Sequence, residues 1–100
     1  MNNRLQKLYA FMEQHDVDAM LVTLPKHIYY LTGFMNEPHE RFMGLVLVKG
    51  EEPFLIVPLL DLDKARGASS ITTIYPVSDE ESPYELLGAK LPAALNRIAV

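Results

Sequence analysis

Two short apolar blocks, Leu45-Val-Leu-Val48 and Phe54-Leu-Ile-Val57, stand on either side of Lys49-Gly-Glu-Glu-Pro53. Runs of this length, rich in branched residues and bounded by turn formers, read as buried strands. The intervening turn is too short for a crossover connection, so the two strands pair as an antiparallel hairpin. Leu45–Val48 is continuously apolar, as a central strand covered on both faces must be. Most of the remaining chain is then needed as cover.

The rest of the sequence supplies it as alternating helices and strands. Leu5, Leu8, Tyr9 and Met12 recur at i, i+3, i+4, i+7 and define one stripe of a first helix ending near His15, with Asn3 and Gln6 as a weak capping pair. Ala19–Thr23 reads as a buried strand. Pro25 suits the first turn of a helix and Gly33 the left-handed residue that closes one, giving a two-turn helix between them. Tyr30, Leu31 and Phe34 are its expected core residues. After Pro58, Leu59–Arg66 reads as a short helix closed by Gly67, and Ile71–Tyr75 as a further strand at a sheet edge. Ser82-Pro-Tyr-Glu85 combines a serine cap, a proline at the first helical position and a glutamate three residues after the cap, with Asp79–Glu81 upstream serving the helix dipole. Pro92 must kink or restart that last helix. Ile98-Ala-Val100 looks like the beginning of another apolar element, so the chain reads as a piece of something longer.

One hundred residues make one domain, able to bury roughly 60 to 70% of its unfolded surface. The hydrophobic fraction of 49% and the charged fraction of 22% are those of an ordinary globular protein. The net charge is −4 and the nine basic residues form no stripe, which argues against nucleic acid as a partner. Without cysteine there is no disulfide framework, thiolate metal site or cysteine nucleophile. No apolar run approaches the ~18 residues of a membrane span, and the N-terminus lacks the features of a signal peptide, so a cytoplasmic protein is expected.

The chain supplies no complete active site. His15, His27 and His39 fall on a helix end, a helix start and a loop, so their even spacing gives no ligand set. Asp61 and Asp63 point to different sides of a helix and cannot act as paired carboxylates. Neither a G-x-S-x-G elbow nor a phosphate-binding glycine loop is present. The segment that stands out is the long connection from Gly33 to Phe42, which brings His39, Glu40 and Arg41 together just before the hairpin. Arg41 is able to clamp a carboxylate, Glu40 to accept from an amine and His39 to do either near neutral pH. The alternative is a solvated loop with a weak Glu–Arg contact.

Tyr30-Leu31-Thr32-Gly33-Phe34, following Pro25 and Ile28 and lying between an upstream strand and the hairpin, resembles the amino-terminal domain of the creatinase and prolidase superfamily. The likeness is nearest to bacterial Xaa-Pro dipeptidases and aminopeptidase P-like enzymes, and it runs from Arg4 to Val100. His27 departs from the pattern, because the family often has asparagine there. The resemblance implies an α/β fold, a mixed β-sheet flanked by helices in a ribonuclease H-like build. It also implies a following "pita-bread" catalytic domain, outside these 100 residues, holding two divalent metal ions (Mn, Co or Zn). No catalytic or metal-ligating residue is therefore expected here. The implied part for this domain is to help build a homodimer and to narrow the partner's active site to short peptides. His39, Glu40 and Arg41 are then the expected substrate contacts, and the expected partners are the protein's own C-terminal catalytic domain, a second copy and Xaa-Pro peptides. A free dipeptide carries an ammonium and a carboxylate close together, so a loop of both charge signs matches it chemically. Two rivals are a peptide-binding module of the same fold without catalysis, and the corresponding domain of a creatinase-like amidinohydrolase.

Overall fold

A computed structural model describes residues 3–37, 41–91 and the backbone of 98–99. Helix α1 (Asn3–Gln14) leads to β1 (Ala19–Val22), α2 (Pro25–Thr32), β2 (Gly44–Val48) and β3 (Phe54–Pro58). A 3-10 turn at Leu59–Asp61 opens directly into α3 (Leu62–Ala68), which is followed by β4 (Thr73–Val77), α4 (Pro83–Lys90) and β5 (Ile98–Ala99). The five strands form one mixed sheet in the order β4-β3-β2-β1-β5. Strand β2 runs antiparallel to both β1 and β3, whereas β4 and β5 join the sheet in parallel.

The expected hairpin is β2–β3, and every residue of both strands is buried. Period two divides their side chains between two layers. Leu45, Leu47, Leu55 and Val57 pack with Leu5, Met12, Ile28, Phe34 and Ala65 from the α1, α2 and α3 side. Val46, Val48, Phe54 and Ile56 face the opposite layer, where Leu86 and Leu87 of α4 pack against them. Each such side chain, fully buried, contributes about 1.5–3 kcal/mol relative to exposure. The hairpin is thus the common floor of both cores.

Helix ends follow local chemistry. Gly33 closes α2 at φ 82° with its N–H bonded to the Tyr29 carbonyl. At the end of α1 the left-handed position is taken instead by Asp16 at φ 55°, and the Val17 N–H reaches back to the Met12 carbonyl at 2.8 Å. Ser82 caps α4 as expected, its hydroxyl accepting from the Glu85 N–H. Tyr9 on α1 donates to the Glu51 carbonyl in the hairpin turn at 2.9 Å. Partial burial, with Glu52 and Glu51 nearby, pushes the Tyr9 hydroxyl up to about 12.

Four expectations are corrected. Tyr30 is 56% exposed, because Ile28, Leu31 and Thr32 are the inward residues of α2 and the paired tyrosines fall on its outer side. Gly67 does not close α3: the helix continues to Ala68, and Ser69 ends it by bonding back to the Ala65 carbonyl and accepting the Ile71 N–H on its hydroxyl. The edge strand lies at Thr73–Val77 instead of Ile71–Tyr75, with Ile71 buried beneath α3. Edge placement accommodates Pro76, which lacks a ladder donor. Asn3 is already helical and not a cap. Pro92 lies outside the described residues. The apolar end of the chain pairs as β5 with Ala19 and Met20.

Candidate functional site

The segment between α2 and β2 leaves the helix through a compact device. The Thr32 hydroxyl donates to the Ile28 carbonyl at 2.7 Å and accepts the Phe34 N–H at 3.1 Å, while the Thr32 carbonyl takes the Ser70 N–H at 2.8 Å. Gly33 then reverses the chain and sends Phe34 fully into the core. Polar bonding, reversal and anchoring thus fall to Thr32, Gly33 and Phe34 in turn.

Beyond Phe34 the segment is held at both ends by polar contacts from distant parts of the chain. Asn36 is a buried amide; it donates to an Asp61 carboxylate oxygen at 3.1 Å and accepts from Lys64 Nζ at 3.4 Å. At the other end, Arg41 grips Asp79 through two parallel bonds, Nε to Oδ1 at 2.8 Å and Nη2 to Oδ2 at 3.2 Å. The Phe42 ring follows, edge-on to Tyr84 at 5.6 Å and folded against Gly44, where a Cβ would stand 2.9 Å from the ring. A side chain at Gly44 would force the Phe42 ring to shift.

Two of the five guanidinium donors of Arg41 are committed to Asp79. The hydrogen bond and charge of Arg41 hold the Asp79 carboxyl below its ordinary range, and Asp79 holds Arg41 still more firmly protonated, with a lesser contribution from Asp61. Asp79 thus faces Arg41 and does not serve the α4 dipole as expected. Glu81 turns back to accept the Ser78 N–H, which lowers its carboxyl. Beside the Arg41–Asp79 pair lies a shallow cleft of about 370 Å³ whose apolar wall is Leu59 and Leu60, the latter 78% exposed. The arrangement offers a cation, carboxylates and an apolar wall in one place.

Of the three residues singled out in the sequence, Arg41 takes this position, while His39 and Glu40 lie outside the described residues. Asn36, Asp61, Lys64 and Asp79 had no local signature as its supports. Their roles arise from contacts spanning 25 to 38 residues of sequence. Among the described residues no three histidine, aspartate or glutamate side chains converge as a metal site. No described helix is long and apolar enough to cross a membrane.

The fold as a whole has close counterparts. Residues 4–100 match the model of the creatinase/prolidase N-terminal domain. The chain belongs to that family. A creatinase/prolidase N-terminal domain in this form aligns with a proline dipeptidase from Streptococcus pneumoniae TIGR4 at a TM-score of 0.89 and 33% identity, over 98% of this chain and 72% of that one. The N-terminal domain of an X-Pro dipeptidase from Streptococcus pyogenes aligns at 0.84 and 33% identity, over 92% of this chain and 70% of that one. In sequence, the domain is 36% identical to YkvY of Bacillus subtilis strain 168 over 85 residues, which is 85% of this chain and 23% of that protein. The chain thus spans about a quarter of the length of the curated relatives it matches.

Proposed function

We propose that this domain belongs to a cytoplasmic Xaa-Pro dipeptidase, a metallopeptidase hydrolysing the bond before proline. In it the domain is noncatalytic: it helps form the homodimer and narrows the partner's active site to short peptides. The observation that carries this reading is the family match over residues 4–100, joined to solved relatives named as proline dipeptidases. Those names favour a peptidase parent over a creatinase-like amidinohydrolase.

In this reading the segment 36–42 supplies the substrate contacts, with His39, Glu40 and Arg41 meeting the charged ends of a short peptide. The Asp79 contact supports the role of Arg41, because it fixes the guanidinium plane before any carboxylate arrives and so lowers the ordering cost of binding. The two divalent cations, Mn, Co or Zn, belong to the catalytic domain, with which this domain would pack.

The test is Arg41→Ala in the full-length enzyme. The expected result is a raised KM for Xaa-Pro dipeptides and a relaxed preference for dipeptides over longer peptides, with metal content unchanged. Unchanged kinetics and unchanged length preference would rule out the gating role. The 100-residue chain supplied with manganese should show no peptidase activity.

A further inference from the structure

The connection from α2 to β2 meets itself at its base. Asn36, near its start, donates through Nδ2 to the thioether sulfur of Met43 at 3.7 Å, and Met43 is buried immediately before β2. Residues 7 apart in sequence thus stand side by side, as in compact surface loops whose ends are close. Arg41 lies only two residues from that neck.

What fixes the neck comes from α3 and the turn before it. The Asn36 amide, 6% exposed, meets three groups: besides Met43, its Nδ2 serves Asp61 Oδ2 at 3.1 Å, and its Oδ1 accepts from Lys64 Nζ at 3.4 Å. A rotated amide would set its oxygen against the Asp61 carboxylate and its NH2 against the Lys64 ammonium, so only one orientation is satisfied. Burying an amide costs free energy that its hydrogen bonds offset, whereas a leucine, branched at the same atom, would fill the space beside Met43 without that cost. The distinctive contribution of the amide is therefore direction. Asp61 bears on the far end of the loop as well, since its charge adds to that of Asp79 in keeping Arg41 protonated. The same turn contributes Leu59 and Leu60 to the cleft that Arg41 lines.

We propose that Asn36 is a positioning residue for Arg41: oriented by Asp61 and Lys64, it closes the base of the loop against Met43 and thereby sets where the guanidinium stands to meet a peptide carboxylate. The positioning is a property of this chain, while the carboxylate rests on the reading of Arg41 as a substrate contact. Asp79 fixes the plane of the guanidinium, and Asn36 fixes the backbone that carries it.

Two arms separate the inference from that reading. In the 100-residue chain, NMR follows exchange of the Arg41 Nε–H in Asn36→Leu and in Asp61→Leu. Asp61→Asn keeps an acceptor for the amide, and Val48→Ala is a buried change at the opposite end of β2. The expected result is exchange at least ~5-fold faster in the two leucine variants, with Asp61→Asn close to the parent and Val48→Ala without effect. In the full-length enzyme, Asn36→Leu should raise KM for Xaa-Pro dipeptides about 5-fold with kcat unchanged, and Asp61→Asn should keep most of the affinity lost in Asp61→Leu. Arg41 exchange unaltered by Asn36→Leu would overturn the positioning whatever the enzyme does. An equal acceleration in Val48→Ala would overturn it too, by making the effect one of general stability. If Arg41→Ala raises KM and Asn36→Leu does not, the inference falls and the reading stands. If exchange quickens in Asn36→Leu while neither variant moves KM, the positioning stands and the reading falls.

Discussion

The β2–β3 hairpin and the segment 36–42 are neighbours along the chain, yet they are held by opposite means. In the hairpin every residue is buried, and position follows from apolar volume on two faces. At the described ends of the segment, position follows from polar contacts, Asn36 to Asp61 and Lys64 and Arg41 to Asp79, beside the Phe42 ring packed against the second core. The first kind of holding is non-directional and large in sum, so it decides whether the domain folds. The second is directional, buried at Asn36 and exposed to solvent at Arg41, so it decides where a side chain points. A segment held in this way on a rigid sheet can change its contacts without unfolding the support.

The sharpest way to break the comparison is to damage the scaffold where the segment leaves it. Phe34 has no exposed surface and joins the core beside Leu45 and Val57. Phe34→Ala should cost about 3–5 kcal/mol in urea-induced unfolding. Next comes Thr32→Val, which keeps the shape and removes the hydroxyl that serves Phe34 N–H. The loss expected is about 1–3 kcal/mol, because a buried donor is left without its partner. A change of comparable size after Arg41→Ala would erase the distinction between the two regions.

A smaller effect should appear in alkali. The Tyr9 hydroxyl has its pKa raised from 10.0 to about 12, so the unfolded chain releases that proton first. The associated stability is intact below pH 10 and is lost as pH rises toward about 12. Titration by tyrosine absorbance should show one residue ionising late, and Tyr9→Phe should remove that late step.

The regions also differ in how much of them the sequence discloses. Continuous apolar blocks and a glycine-containing turn are local signals, so the hairpin, its pairing and its central place in the sheet are readable from about thirteen residues. Ser82 and Gly33 act through their immediate neighbours and were equally legible. Gly67 misled because a glycine permits a helix end without requiring one, and a serine two residues later provides the bonds. Tyr30 misled because an aromatic ring on a short helix fits either side, and the choice was made by Ile28 and Leu31 filling the core. Asn36 and Asp79 were opaque for a different reason: nothing within several residues of either indicates a partner 25 or 38 positions away. Arg41 could be singled out from its charge, whereas the carboxylate that orients it becomes visible only once β4 is parallel to β3.

The central claim is that the scaffold and the segment joining α2 to β2 are energetically separate, and amide and guanidinium hydrogen exchange by NMR on the chain with Asp79→Ala tests it most directly. The account predicts that amides of β2 and β3 keep their full protection while the Arg41 Nε–H loses its own, with changes confined to the segment and the start of α4. A fall in protection at Leu45–Leu47 and Leu55–Val57 together with that of Arg41 would contradict it, since the polar contact would then belong to the same cooperative unit as the core.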